Sequence, residues 1–230
     1  MPPQTTVLLF DYGGTLDDDG RPWLERFSPL WREAGADGEA VARAFYDADD
    51  GLPGRHDLRG KGLAETVLLQ CRRVAELLLP SDPGAAQRVA DRFVEESRRT
   101  LRRNRPVLER LAARYRLGVV SNFYGNLEDV LASEGLRDLF GAVADSQRVG
   151  CTKPDPRLFR WALDRLGAEP GQALMVGDSL RRDMAGAEAL GMPHAWMAGA
   201  SQGRPCCPAA AVLRGLGDLE PLLLGTEARR

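Results

Sequence analysis

The chain has little from which to build a transition-metal or redox centre. His56 and His194 are its only histidines, and neither stands at a ligand spacing from a cysteine pair, which argues against a zinc site. Both read as ordinary surface or core residues. The four cysteines, Cys71, Cys151, Cys206 and Cys207, show no framework spacing, and the adjacent pair cannot readily bridge itself, so reduced thiols are expected. No stretch approaches the ~18 apolar residues of a membrane span. The opening Met1-Pro2-Pro3-Gln4-Thr5-Thr6 lacks the basic and apolar regions of a secretory signal, so a cytoplasmic address and no membrane partner are the expectations. Positive charge is not in excess either: Lys+Arg of 31 against Asp+Glu of 33 gives a net charge of -2. No global field therefore draws the chain to nucleic acid, and any anion must be recognised locally.

What the chain does have is enough apolar material, 43% over 230 residues, for one good core and a smaller second lobe. Short apolar runs recur at Val7–Phe10, Leu117–Val120, Ala142–Ala144, Ala173–Val176 and Ala195–Met197, with helical patterns between them from Leu117 onward. That alternation predicts an α/β fold, a parallel sheet covered by helices. One helix is bounded by its own signals: Asp155 as cap, Pro156 in the first turn, an apolar face of Leu158, Phe159, Ala162, Leu163 and Leu166, and Gly167 as the stop. Between Arg21 and Arg103 the strand pattern gives way to helical spacing, in Leu63, Val67, Leu68, Cys71, Val74, Ala75 and Leu78 and again in Val89, Phe93 and Leu101. This predicts an inserted helical lobe. The breaker-rich stretch from Gly51 to Gly62 reads as a loop dividing it, either substrate-facing or a solvated turn. Trp23, Trp31, Phe45 and Tyr46 read as lobe core rather than substrate stackers. The tail after Leu224 is expected to fray.

Four polar clusters follow the strands or lie in the loops between them. The first strand runs directly into Asp11, followed by Tyr12, Gly13, Gly14 and Thr15. An acid at the carboxyl end of a buried strand faces the crevice where open α/β sheets bind ligands, and there it can attack an electrophile or hold a cation. Ser121 and Asn122 close the second strand ahead of a helix expected from Asn126 to Glu134; a hydroxyl and free amides there suit a phosphate, and simple turn chemistry is the plainer reading. Lys153 precedes Pro154 and the capped helix, which fixes where its stem begins and lets its ammonium act as a point charge; a lone lysine is otherwise usually solvated. Asp178 follows a strand and one glycine, with Asp183 five residues on. Such a pair suits a hard cation like Mg²⁺, or is a helix cap with a surface acid.

Taken in order, these clusters closely resemble the haloacid dehalogenase superfamily. The resemblance covers residues 6–20 and 105–200 and includes Phe140-Gly141, Ser146, Gly150, Lys153-Pro154-Asp155-Pro156, Gly177-Asp178, Asp183, Gly186-Ala187 and Gly191-Met192. It implies a Rossmann-like core, residues 1–20 and 104–230, with an α-helical cap inserted at 21–103, and a Mg²⁺-dependent phosphatase acting on a small phosphate ester. Carried over by position, it implies Asp11 as nucleophile, Thr15, Ser121 and Asn122 as phosphate contacts, and Lys153 neutralising charge between them. It further implies Asp11, the Gly13 carbonyl, Asp178 and Asp183 around the metal.

One position departs from the family. A second aspartate usually stands two residues after the nucleophile as general acid and base, and here that residue is Gly13. A glycine keeps the carbonyl but loses a proton-transfer group worth about 10²–10⁴-fold in rate. This points to substrates with good leaving groups, such as anomeric, acyl or aryl phosphates. Asp17, His56 and Tyr12 stand as substitutes for the missing donor. The same departure keeps a second reading open, a weakened module that binds a phosphorylated ligand or a protein partner. Carbon–halogen hydrolysis fits less well, since those relatives usually carry tyrosine where Gly13 stands, and phosphonate cleavage would need an imine-forming cap lysine, for which only Lys61 is available.

Overall fold

The computed structural model describes residues 5–205, 207–208 and 210–224. They fall into two compact units: one of residues up to 21, 100–123 and 138 onward, the other of residues 22–99 and 124–137. Among the described residues no helix is long and apolar enough to cross a membrane.

The first unit is built on six strands: β1 (Val7–Phe10), β2 (Arg116–Ser121), β3 (Ala142–Asp145), β4 (Ala173–Gly177), β5 (His194–Met197) and β6 (Ala211–Leu213). They pair in the order β3-β2-β1-β4-β5-β6, every pair parallel, which makes the fold α/β and Rossmann-like. Each apolar run of the sequence is a strand here. The short β6 was not foreseen, because three residues carry no readable period. β1 lies at the centre, its Phe10 opposite Val119 on one side and Val176 on the other. The chain passes from β1 to β2 on one side and later returns to β4 on the other, so the strand order reverses beside β1, and the crevice of such a sheet opens at that reversal.

Val7, Leu9, Val120 and Met175 pack with Leu158, Phe159, Ala162, Leu163 and Leu166 in one buried cluster. At about 25 cal/mol per Å² of apolar area removed from water, such burial is the main stabilising term of the unit. The five helical residues belong to Pro156–Leu166, which starts and stops as its signals require: Asp155 accepts a hydrogen bond from the Arg157 amide at 2.9 Å, and Gly167 ends it in the left-handed region at φ 61°. That helix is α7 in a series of α1 (Trp23–Glu33), α2 (Gly38–Arg55), α3 (Leu63–Leu78), α4 (Ala85–Ala112), α5 (Leu127–Ser133), α6 (Ser146–Val149), α8 (Ala185–Glu188) and α9 (Leu219–Leu224).

The second unit contains α1, α2, α3, α5 and the first half of α4. Its core is aromatic: Phe27 and Phe93 stack with ring centres 3.9 Å apart, and Trp23 meets Phe93 edge-on at 5.2 Å. Trp31 and Phe45 are buried as expected, whereas Tyr46 is 53% exposed.

Two boundaries differ from the sequence reading. The stretch from Gly51 is not a loop at its start, because α2 continues through Gly51, Pro53 and Gly54 to Arg55. Burial of Leu52 and the hydrogen bonds of Arg55 back to Asp47 outweigh the breaker residues. Residues 124–137, expected in the sheet domain, group instead with the helices. Asn126 donates to the Lys61 carbonyl at 2.9 Å and to Thr66 Oγ1 at 2.8 Å, Ser133 Oγ accepts from the Leu63 amide at 3.2 Å, and Arg98 forks onto Glu134. Such polar ties leave no trace in hydrophobic periodicity.

Candidate active site

Asp11 follows β1, and its backbone amide continues the ladder to the Val176 carbonyl at 2.9 Å, so sheet pairing fixes the Cα from which the carboxylate springs. Oδ1 accepts three hydrogen bonds: from the Tyr12 amide, from Ser121 Oγ and from Lys153 Nζ, each at 2.7 Å. All three fall on one oxygen, which pins the carboxylate plane and keeps the lone pairs of Oδ2 for another partner.

The loop after Asp11 is held by its own backbone. The Leu16 amide bonds back to the Tyr12 carbonyl at 2.9 Å, and Asp17 Oδ1 accepts from the Gly14 amide at 2.7 Å. Gly14 stands at φ 83°, and a Cβ there would lie 2.7 Å from Asp178 Oδ2, so both the turn and the close approach require glycine. Thr15 is fully buried, and its hydroxyl has no hydrogen-bond partner among the described residues.

Lys153 is 4% exposed and bridges two acids, Asp11 and Asp183, with Nζ 2.6 Å from Asp183 Oδ1. Burial alone lowers its basicity, but the facing carboxylates of Asp11 and Asp183 outweigh it and hold the ammonium above its ordinary pKa. Its loop is held by Asn122, which accepts from the Lys153 amide at 2.7 Å and donates to the Lys153 carbonyl at 3.3 Å. The Asn122 side chain, expected at the phosphate, is thus spent on placing Lys153, and only its backbone is left for an anion. Ser146, at the start of α6, locks the neighbouring turn through both polar groups of Phe123.

Asp178 follows β4, and its carbonyl accepts from Trp196 Nε1 at 2.8 Å. Asp183 lies in a wide helical turn, Leu180–Met184, that leads into α8, and its Oδ2 accepts from the Ser179 amide at 2.9 Å. A Cβ on Gly177 would sit 2.4 Å from the Asp183 carboxyl carbon, so this glycine clears room for the acid. Oxygens of Asp11, Asp178 and Asp183 all lie within 4.8 Å of one another. Burial, then the charges of Asp11 and Asp183, push the Asp178 carboxyl well above its ordinary pKa. Burial pushes Asp183 up to about 6 against the attraction of Lys153, with Asp11 adding to the rise. Asp178 Oδ1 is buried without a hydrogen-bond partner among the described residues.

When all three are ionised, three carboxylates facing one ammonium carry an excess of two negative charges in a largely buried site. A divalent, oxygen-seeking cation fits that balance and also supplies the partner that Asp178 Oδ1 lacks. The structure places Asp11, Gly13, Thr15, Ser121, Asp178 and Asp183 at the carboxyl ends of β1, β2 and β4 or in the loops beyond them, and Lys153 in the loop between α6 and α7 that follows β3. Of the substitutes considered for the absent acid, Asp17 is fully buried and engaged on the Gly14 amide, and the Tyr12 ring packs edge-on against Phe123. His56 caps the end of α2 in the other unit.

A strand-end aspartate backed by a buried lysine and an acidic pair defines a class of hydrolase site. Residues 5–191 match the family profile described as haloacid dehalogenase-like hydrolase, and the chain belongs to that family. It is similar to a phosphoserine phosphatase of Thermus thermophilus, 35% identical over 219 residues that cover 88% of this chain and 77% of the relative. It is also similar to haloacid dehalogenase-like hydrolase domain-containing protein 3 of Mus musculus, 46% identical over 112 residues, 47% of this chain and 45% of that protein. The matched part thus spans less than half the length of that relative. Among solved structures, a HAD phosphatase from Thermococcus onnurineus superposes with a TM-score of 0.57 at 25% identity, covering 96% of this chain and 99% of the other.

Proposed function

We propose that the protein is a Mg²⁺-dependent phosphatase of small phosphorylated metabolites that works through a phosphoryl-Asp11 intermediate and favours esters with good leaving groups. The observation that carries this reading is the buried convergence of Asp11, Lys153, Asp178 and Asp183. Asp11, the Gly13 carbonyl, Asp178 and Asp183 would hold the cation, which when bound offsets the charge of the phosphoryl group and of the acids around it.

The chain's own residues supply the rest. Ser121, Lys153 and the Tyr12 amide hold the Asp11 carboxylate through Oδ1, which leaves Oδ2 to attack phosphorus. The unpartnered Thr15 hydroxyl and the backbone amides after Ser121 suit the phosphoryl oxygens, and the Lys153 ammonium balances charge as it shifts from nucleophile to phosphate. Bond formation at Asp11 expels the leaving oxygen, and water then cleaves the acyl phosphate. With glycine at position 13, the carboxyl that family phosphatases use there to protonate the first and deprotonate the second is missing from that position. Poor leaving groups therefore react slowly, and the phosphoenzyme persists.

A panel of phosphate esters, run with Mg²⁺ and then with chelator, tests the reading. Turnover of aryl and acyl phosphates that stops in chelator and in Asp11→Asn supports it; undiminished turnover in either refutes it. Gly13 also favours a second reading, a module that retains a phosphorylated ligand without turning it over. Measurable ligand binding with no hydrolysis of any ester in Mg²⁺ would establish that instead.

A further inference from the structure

Away from the carboxylate cluster, the fold brings together three residues that sequence spacing keeps apart. We propose that Glu188, His194 and Cys207 form a second metal site, selective for a thiolate- and imidazole-seeking divalent ion of the zinc class. Glu188 ends α8, His194 opens β5, and Cys207 lies in the segment between β5 and β6. His194 Nε2 is 3.5 Å from Cys207 Sγ and 3.6 Å from Glu188 Oε1, and all three ligand atoms lie within 4.8 Å of one another.

The two separations from His194 Nε2 are close to edges of a tetrahedron around zinc. Bond lengths of about 2.0–2.1 Å to nitrogen or oxygen and about 2.3 Å to sulfur put N and S about 3.6 Å apart, and N and O about 3.4 Å apart. The second ring nitrogen of His194, Nδ1, lies 3.1 Å from the Met192 carbonyl. A carbonyl only accepts, so Nδ1 donates to it, and in the neutral ring Nε2 then offers its lone pair on the side of Glu188 and Cys207. A histidine held by a backbone carbonyl through its far nitrogen is the arrangement that orients imidazole for a metal.

Thiolate plus imidazole selects zinc-class ions over Mg²⁺. Binding forms one bond each from Oε1, Nε2 and Sγ, releases the Cys207 thiol proton to solvent, and leaves a fourth position for water. The ion would tie the segment after β5 to α8 and to the start of β5. Trp196, two residues after His194 on the same face of β5, holds the Asp178 carbonyl, so the site braces the strand that supports the hydrolase acids without sharing a residue with them.

The test is cobalt titration of the full chain in excess Mg²⁺, which occupies the carboxylate cluster, followed by the thiolate-to-cobalt charge-transfer band and displacement by zinc. One equivalent bound with that band is expected, weakened at least about 100-fold in Cys207→Ser and His194→Gln and retained in Cys206→Ser and Asp178→Asn. Circular dichroism confirms that each variant is folded, and Glu188→Gln, at an exposed side chain, serves as a mild third variant with weakened binding expected. No charge-transfer band in the wild type, a band lost with Cys206 rather than Cys207, or binding lost with Asp178 overturns the proposal.

Discussion

In the proposed phosphatase reading, the residue that sets leaving-group preference is Gly13. Without a carboxyl there, leaving-group basicity would fall directly on the rate, so an aryl phosphate is expected to outpace an alkyl phosphate by a wide margin in kcat/KM. Gly13→Asp should raise the alkyl rate by about 10²–10⁴-fold and narrow the gap; equal rates in the native chain, with no change in the variant, contradict this. Lys153 is the other residue to test, since it faces two acids in a buried site. Lys153→Met leaves those carboxylates unpaired and should destabilise the metal-free protein by about 3–5 kcal/mol in urea melts, as well as abolish turnover. The sequence pointed to Asp11, Lys153, Asp178 and Asp183 because each follows or flanks an apolar strand or a capped helix and because, taken in order, they resemble the haloacid dehalogenase superfamily. The side-chain role of Asn122 was not readable, because its partner is the backbone of Lys153, 31 residues away.

Elements show the same division between local and distant signals. α7 was legible from end to end because its cap, first-turn proline, apolar face and terminal glycine are all written within thirteen residues. Asp155→Ala should cost about 1 kcal/mol in thermal or urea melts, with turnover little changed, since the cap holds the helix rather than the lysine. β4 and the turn after it depend on a close approach instead, and Gly177→Ala would drive a methyl into the Asp183 carboxyl. A loss of about 1–3 kcal/mol together with loss of metal-dependent turnover is expected; a fully active, fully stable variant would contradict the packing described here. The extension of α2, the grouping of residues 124–137 with the helices and the three-residue β6 escaped the sequence reading. Tertiary burial and polar ties decided the first two, and the third was too short to carry a period.

At the scale of the whole molecule, the buried acids couple stability to pH. Asp183 and Asp178 hold their protons more tightly folded than unfolded; Asp183, at about 6 against an ordinary 3.8, contributes stability that is fully present below about pH 4 and is lost as pH rises through 6, and Asp178 shifts in the same direction. Lys153 shifts upward from a pKa already above 10, so its contribution stays constant across that window. In chelator the melting temperature should therefore fall between about pH 5 and pH 7, and Mg²⁺ should restore part of the loss; a flat profile that Mg²⁺ does not alter would contradict the clustering of these acids. A Rossmann-like parallel core was implied by the family resemblance, while the strand order and the division into units followed contacts that no local pattern records. Acid-quenched turnover of an aryl phosphate with Mg²⁺, followed by mass spectrometry of the peptide carrying Asp11, tests the central claim most directly. A phosphoryl group on Asp11 that accumulates during turnover and is absent from Asp11→Asn is the predicted result. Steady hydrolysis with that peptide unmodified, or hydrolysis by Asp11→Asn at the native rate, would contradict it.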